Sequence, residues 1–501
     1  MEKSVDGIGR FLDFRLHPAL KMTEGWAGGL RNDKGPGNCG MTFNNNSLNR
    51  YCIMIKTDII IIGAGPGGYE TALLAAGRGK SVTLVESGPV GGTCLNEGCI
   101  PTKSLCRSAE VLEEMKTAKT FGVSPGEYSF DFRAAMSRKE AVVAQLRGGV
   151  ETLLSNKLIN LVHERAEFRS PSVISAGGGE YTAGDIVIAT GSKSFIPPIP
   201  GTDDPDVITS SEALSLDSVP ARLCIIGAGV IGLELASVMN AFGSRVTVLE
   251  SCREILPRFD SDIAKRLKQS LSRQGISIVT QAMVQSVGRT ADGLEVRYDL
   301  KGTAASVAAD KVLVAVGRRA DLDAMNFRDI GLEMTPKGIV VDGNMQTNIP
   351  HIYAIGDVVG RYMLAHEAVA HGRKALDHIC GIDNLTDLEL MPAAVFTSPE
   401  AASVGLTEQQ CKEQGIGHWC RKTFFRSNGK AVCMDRTEGI CKLLVAGEPG
   451  DAGGKILGCH LLGPHASDLI QEITALMACG ATLGRLESVI HPHPTLSEVF
   501  I

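Results

Sequence analysis

The sequence predicts an α/β fold made of two open parallel-sheet units followed by a smaller α/β unit, and three observations carry that reading. Gly63-Ala-Gly65-Pro66-Gly67-Gly68 and Gly227-Ala-Gly229-Val230-Ile231-Gly232 both spell G-x-G-x-x-G, each between a short apolar run and a helical stretch. In both units the next strand ends in a carboxylate, Glu86 or Glu250, eighteen positions after the last glycine. From about residue 389 short apolar runs continue without a third loop of this kind.

In chain order, residues 1–53 stand apart. Gly28–Asn49 is rich in Gly and Asn, and Asp6, Asp13 and Glu24 break any Arg-rich amphipathic pattern, which argues against a transit peptide. The segment reads as a flexible or non-native extension, with Met54 a natural start. Ile59–Ile62 is a continuous apolar run, the pattern of a buried parallel strand. A helix is expected over Thr71–Gly77 and a strand over Ser81–Val85. Strand, glycine turn, helix and strand ending in an acid is the context a dinucleotide fingerprint requires. The glycines let a pyrophosphate meet the helix N-terminus, and the carboxylate accepts ribose hydroxyls. Leu223–Ile226 and Arg245–Leu249 repeat the arrangement, so two Rossmann-like dinucleotide-binding domains are expected.

Ile186–Ser192 and Lys311–Gly317 are apolar strands that read as crossovers between the two nucleotide units. Ile352–Asp357 is a further strand ending in Gly356-Asp357, and Met363–Gly372 reads as a helix. Ala393–Phe396, Ala402–Val404, Gly439–Val445 and Lys455–Leu462 are short strands, and Ser467–Cys479 is an amphipathic helix. The expected domains are therefore 54–200, 201–319, a central segment 320–388, and an interface domain 389–501.

Composition excludes more than it identifies. A net charge of −6 gives no case for nucleic acid or an anionic membrane as partner. No apolar run reaches the length of a membrane span. The fourteen cysteines are scattered rather than framed as in a small secreted scaffold, which favours a reducing, cytoplasmic setting. Their spacings offer no zinc site, and no metal is expected.

Gly91–Lys103 holds Cys94 and Cys99 with four residues between them. Bonded cysteines have Cα atoms roughly 5.5 Å apart, whereas five residues of regular helix span about 8–9 Å. The two can join only if the chain bends between them, and Gly98 permits that. A bridge closing so short a loop adds little stability and is suited to opening and closing. Gly91 and Gly92 allow close approach to a ligand, Pro101 fixes a turn, and Lys103 supplies a cation that favours a thiolate. The run resembles the redox-active disulfide of the pyridine-nucleotide–disulfide oxidoreductases. A cofactor bound beside that stretch must exchange electrons with sulfur, so FAD is expected in the first unit and a nicotinamide in the second. Glu250 repels a 2′-phosphate and favours NAD, with Arg253 close by.

The chain ends in His491-Pro-His493-Pro-Thr-Leu-Ser-Glu498. A histidine held between prolines, with a carboxylate to orient its ring, follows the logic of a catalytic dyad. The spacing does not choose between His491 and His493.

From about Met54 to Glu498 the chain resembles the dihydrolipoamide dehydrogenase branch of that family. The resemblance rests on both nucleotide motifs, Gly227–Glu234 with Glu250, Gly356-Asp357, Met363-Leu364-Ala365-His366, and the ending His-Pro-Thr-Leu-Ser-Glu. It implies that Cys99 faces the flavin as a charge-transfer thiolate and Cys94 is the interchange sulfur. Lys103 would pair with Glu234 near the flavin, and His493, held by Glu498, would be the acid–base, completing the site of a second copy in a homodimer. The FAD residues implied are Gly63, Gly65, Pro66, Gly67, Gly68, Glu86, Gly92, Thr93, Lys103, Ala166, Thr190, Gly191, Gly356, Asp357 and Met363–His366. For NAD they are Gly227, Gly229, Val230, Ile231, Gly232, Glu234, Glu250 and Gly317. The implied substrate is dihydrolipoamide, carried on lipoyl domains of a 2-oxo acid dehydrogenase acyltransferase or on the glycine-cleavage carrier protein. Rival expectations are a glutathione-type or other disulfide reductase, disfavoured by Glu250; a metal reductase, which would be expected to carry a cysteine pair near the C-terminal end; and a catalytically impaired flavoprotein scaffold, disfavoured by the intact Cys94, Cys99, His493 and Glu498.

Overall fold

Apolar strands buried on both faces organise the first nucleotide unit. In a computed structural model that describes residues 54–501, Ile59, Ile60, Ile61 and Ile62 are at most 4% exposed. Each such side chain contributes roughly 1.5–3 kcal/mol. They end strand β1 (Met54–Ile62), which lies between β2 (Val82–Val85) and Gly179–Ile188, parallel to both. Ile159–Val162 extends the sheet beyond β2, and Ile352–Ala354 pairs in parallel with Gly179–Ile188. The reading of residues 1–53 lies outside the described residues.

The second unit repeats the plan. Arg222–Ile226 lies between Arg245–Glu250 and Lys311–Val314 in a parallel sheet completed by Ser277–Thr280 and Val207–Ile208. An antiparallel sheet of Ala282–Thr290, Gly293–Leu300 and Thr303–Ala309 shares an apolar cluster with it. The two runs expected as crossovers instead supply interior strands of the two sheets. The crossing happens just beyond them, where Ser192–Ser194 and Arg318–Ala320 form an antiparallel ribbon. The reason is physical: continuous apolar runs need cover on both faces, and only the sheet centres supply it.

Helix α1 (Pro66–Gly77) starts five residues earlier than its apolar pattern suggested, because Gly65 and Pro66 form its first turn. It packs closely on the Ala365–Ile379 helix, where a Cβ on Gly372 would lie 1.9 Å from Thr71 Oγ1. That close approach sets the Gly356–His366 loop against the end of β1.

The C-terminal part is a five-stranded antiparallel sheet in the order Ala393–Val395, Glu400–Gly405, Ile456–Gly463, Ile440–Ala446, His418–Phe424. Its edge strand His418–Phe424 was missed in the sequence because Arg421 and Lys422 interrupt the apolar pattern. The Ala466–Ala478 helix covers one face, and Val499 and Phe500 are buried at the chain's end. Among the described residues no helix is long and apolar enough to cross a membrane.

Candidate active site

Both glycine turns end in a helix whose first N–H groups no side chain caps, since the N-cap residues are Gly65 and Gly229. The positive ends of two helix dipoles therefore open on a cavity of about 2890 Å³ that runs between the two nucleotide units. The acids that close the fingerprints are wired identically. Ala64 N–H donates to Glu86 Oε2 at 2.6 Å and Gly88 N–H to Oε1 at 2.7 Å. Ala228 N–H donates to Glu250 Oε2 at 2.7 Å and Cys252 N–H to Oε1 at 2.7 Å.

Of the cofactor residues expected from the sequence, all but Gly68 and Gly232 line this cavity. Those two serve the turn itself. A Cβ on Gly68 would lie 1.8 Å from the Gly63 carbonyl oxygen, and one on Gly232 would lie 2.2 Å from that of Gly227. By contrast, a Cβ on Gly229 meets nothing within 4 Å, so its missing side chain leaves room for a ligand. Thr190 Oγ1 is buried with no protein partner among the described residues. These features fit a dinucleotide such as FAD or NAD in each cradle.

The redox stretch folds as two helices. Helix α2 (Gly92–Glu97) stops at Gly98, and helix α3 (Cys99–Thr117) begins at the second cysteine. A Cβ on Gly98 would sit 3.0 Å from the Thr93 carbonyl oxygen, so glycine suits the bend that brings Cys94 and Cys99 together. The bend sets Cys94 and Cys99 as neighbours, both half-buried, as a redox pair requires. A hydrogen bond from Cys94 and the charge of Lys103 outweigh burial and pull the Cys99 thiol down to about 7. The same hydrogen bond and burial push the Cys94 thiol up.

Lys103 lies one turn into α3. Its Nζ donates to Glu234 Oε2 at 2.8 Å and Oε1 at 3.1 Å, joining the first unit to the Val230–Ala241 helix of the second. Burial opposes the ammonium, but the Glu234 carboxylate more than compensates and raises the Lys103 pKa. Phe396, unnoticed in the sequence, completes the group: its N–H donates to Glu234 Oε1 at 2.9 Å, and its ring lies 4.3 Å from Lys103 Nζ.

The two terminal histidines are separated by geometry where spacing could not separate them. The His491 side chain is 4% exposed, with Nε2 2.8 Å from Glu472 Oε1 and Nδ1 3.1 Å from the Val489 carbonyl oxygen. Both its nitrogens are engaged. His493 is 77% exposed, with Nδ1 2.8 Å from Glu498 Oε1. Glu498 is itself held by the Thr495 N–H at 2.8 Å, and the His493 contact lowers its pKa. Neither His493 nor Glu498 lines the cavity of its own chain.

Sequence reasoning also missed Arg318 and the bond from Ser192 to Asp357. The only signal was an arginine pair directly after an apolar strand. Glu408, His418 and Cys420 place their ligand atoms within 4.8 Å of one another. Both Glu408 oxygens, however, already accept from Lys412 and Lys442, at 2.5 and 2.6 Å. Two ammonium groups there oppose a cation.

Comparison with known proteins agrees with this arrangement. Residues 57–372 match the family model described as pyridine nucleotide-disulphide oxidoreductase, and residues 391–501 match its dimerisation domain. The chain is 38% identical over 451 residues to a dihydrolipoyl dehydrogenase of Geobacillus stearothermophilus, covering 89% of this chain and 95% of that one. It is 38% identical over 452 residues to one of Bacillus subtilis, with the same coverage. Among solved structures, the HOCl-induced flavoprotein disulfide reductase RclA from Escherichia coli superimposes with a TM-score of 0.79 at 30% identity, over 88% of this chain and 98% of that one. The chain belongs to the pyridine nucleotide-disulphide oxidoreductases, enzymes that use FAD and NAD, and it carries their dimerisation domain.

Proposed function

We propose that the enzyme is a dihydrolipoyl dehydrogenase, oxidising dihydrolipoamide to lipoamide and reducing NAD. The observation that carries this is the Cys94–Cys99 pair, set in the wall shared by two dinucleotide cradles beside the Lys103–Glu234 link. The organisation that goes with it is an FAD domain over 54–200, an NAD domain over 201–319, a segment 320–388 completing the FAD site, and an interface domain over 389–501. The scattered cysteine pattern suits a reducing cytoplasm.

The proposed chemistry follows from the thiol asymmetry. A substrate thiolate attacks Cys94 Sγ of the oxidised pair, the Cys94–Cys99 bond breaks, and Cys99 leaves as a thiolate. Attack in this sense is favoured because the lower-pKa sulfur is the better leaving group. The second substrate thiolate then attacks the first substrate sulfur, forms lipoamide and releases Cys94, which takes up a proton. His493 of one protomer serves the other protomer's pair as the base that removes the substrate protons, with its ring oriented by Glu498. When bound, FAD supplies the two-electron relay between the dithiol and NAD. The physiological carriers are the lipoyl domains of a 2-oxo acid dehydrogenase or glycine-cleavage system.

The test is the initial rate with free dihydrolipoamide and NAD or NADP, for the enzyme and for Cys94→Ser. We expect a fast NAD-dependent rate that falls more than about 10³-fold in the variant. NAD(P)H-driven reduction of glutathione disulfide, without dihydrolipoamide turnover, would move the protein to the rival reductase reading.

A further inference from the structure

The ribbon that joins the two nucleotide units begins its second strand at Arg318, one residue past the cavity-lining Gly317. Arg318 Nε donates to Ser192 Oγ at 2.7 Å, and Nη2 donates to the Ser192 carbonyl oxygen at 2.6 Å. Ser192 Oγ in turn lies 2.5 Å from Asp357 Oδ2. The direction of this relay is forced. A guanidinium can only donate and an ionised carboxylate can only accept, so the hydroxyl must accept from Arg318 and donate to Asp357. Its rotor is thereby fixed, and the carboxylate plane with it. Among the described residues no protein group bonds Asp357 Oδ1, and Asp357 lines the cavity. Arg318 is partly buried there, facing Asp357, Glu97 and Cys99.

Resting on the reading of the first cradle as an FAD site, we propose that Arg318 and Ser192 are positioning residues that aim Asp357 Oδ1 at a hydroxyl of the bound cofactor. The second nucleotide unit thus reaches across the ribbon and helps to hold the cofactor of the first. The bonds that do so come from both strands of the ribbon, which the backbone pairing of Arg318 with Ser194 and of Ala320 with Ser192 keeps in register.

The test is FAD release from the holoenzyme, followed as the rise of flavin fluorescence, for the native chain, Ser192→Ala, Arg318→Met and the double variant. Each single change should speed release about tenfold, the effect of losing a hydrogen bond to a charged group. The double variant should be little faster than either single one, because both remove the same relay. The visible flavin band should also move in Ser192→Ala, while NAD affinity stays within about twofold.

A native release rate in Ser192→Ala would overturn the proposal, whether or not Arg318→Met had an effect. So would additive effects in the double variant, which would mean that Arg318 acts separately, as a charge near Cys99. If Arg318→Met fails to fold, Ser192→Ala still decides, since it removes one oxygen. A native chain that holds no FAD would instead sink the reading of the cradle itself, a result independent of either variant.

Discussion

In the first cradle Glu86 accepts two backbone N–H groups at 2.6 and 2.7 Å; in the second Glu250 accepts two at 2.7 Å. Both helices open with an uncapped glycine, and both third glycines pack on the carbonyl of the first. Locally the cradles are copies. They differ in what is attached. After Glu86 the chain inserts α2 and α3 with the cysteine pair, and the Gly356–His366 loop closes over the same end of the sheet. After Glu250 comes a turn carrying Cys252 and Arg253. The lesson is that a fingerprint makes a dinucleotide site, and its surroundings choose the dinucleotide.

The comparison can be broken most severely at the glycines. Gly68→Ala and Gly232→Ala should each destabilise the fold by about 3 kcal/mol, because the new Cβ collides with backbone. Gly229→Ala should leave the melting temperature unchanged and weaken only NAD. Thermal unfolding set beside NAD affinity checks this, and equal melting temperatures for Gly232→Ala and Gly229→Ala would contradict it. A smaller effect is expected at the acids. Glu250→Ala should raise the KM for NAD about 30-fold and leave bound FAD in place. Flavin content and steady-state kinetics on one preparation separate the cradles; loss of FAD would show that they are not independent.

The smallest effect concerns the insertion that sets the cradles apart. Lys103→Met removes the cation that helps to hold the Cys99 thiol near 7. Its titration should move about one pH unit higher, leaving less thiolate at neutral pH. The pH dependence of alkylation of the reduced enzyme measures this. An unchanged titration would assign the low value to the Cys94 hydrogen bond alone.

The local periodic features of this protein were legible in the sequence. Apolar runs at Ile59–Ile62 and Leu223–Ile226 need burial on both faces, and glycine turns leave few backbone alternatives, so cradles, acids and cysteine pair could all be placed from residue order. Sequence alone failed where partners are distant. It took Ile186–Ser192 and Lys311–Gly317 for crossovers, because a buried run does not say which neighbours bury it. It could not separate His491 from His493 without the family resemblance, because their difference lies in tertiary contacts: Glu472, on the Ala466–Ala478 helix, lies against the His491 ring, while the His493 ring is exposed. Nor could it find Arg318, whose hydrogen-bond partner Ser192 lies 126 residues away. Hydrogen bonds depend on direction as well as chemistry, and directions between remote segments exist only once the sheets have packed. The amino-acid order determined what kind of site each segment can build; tertiary packing decided which side chains face it.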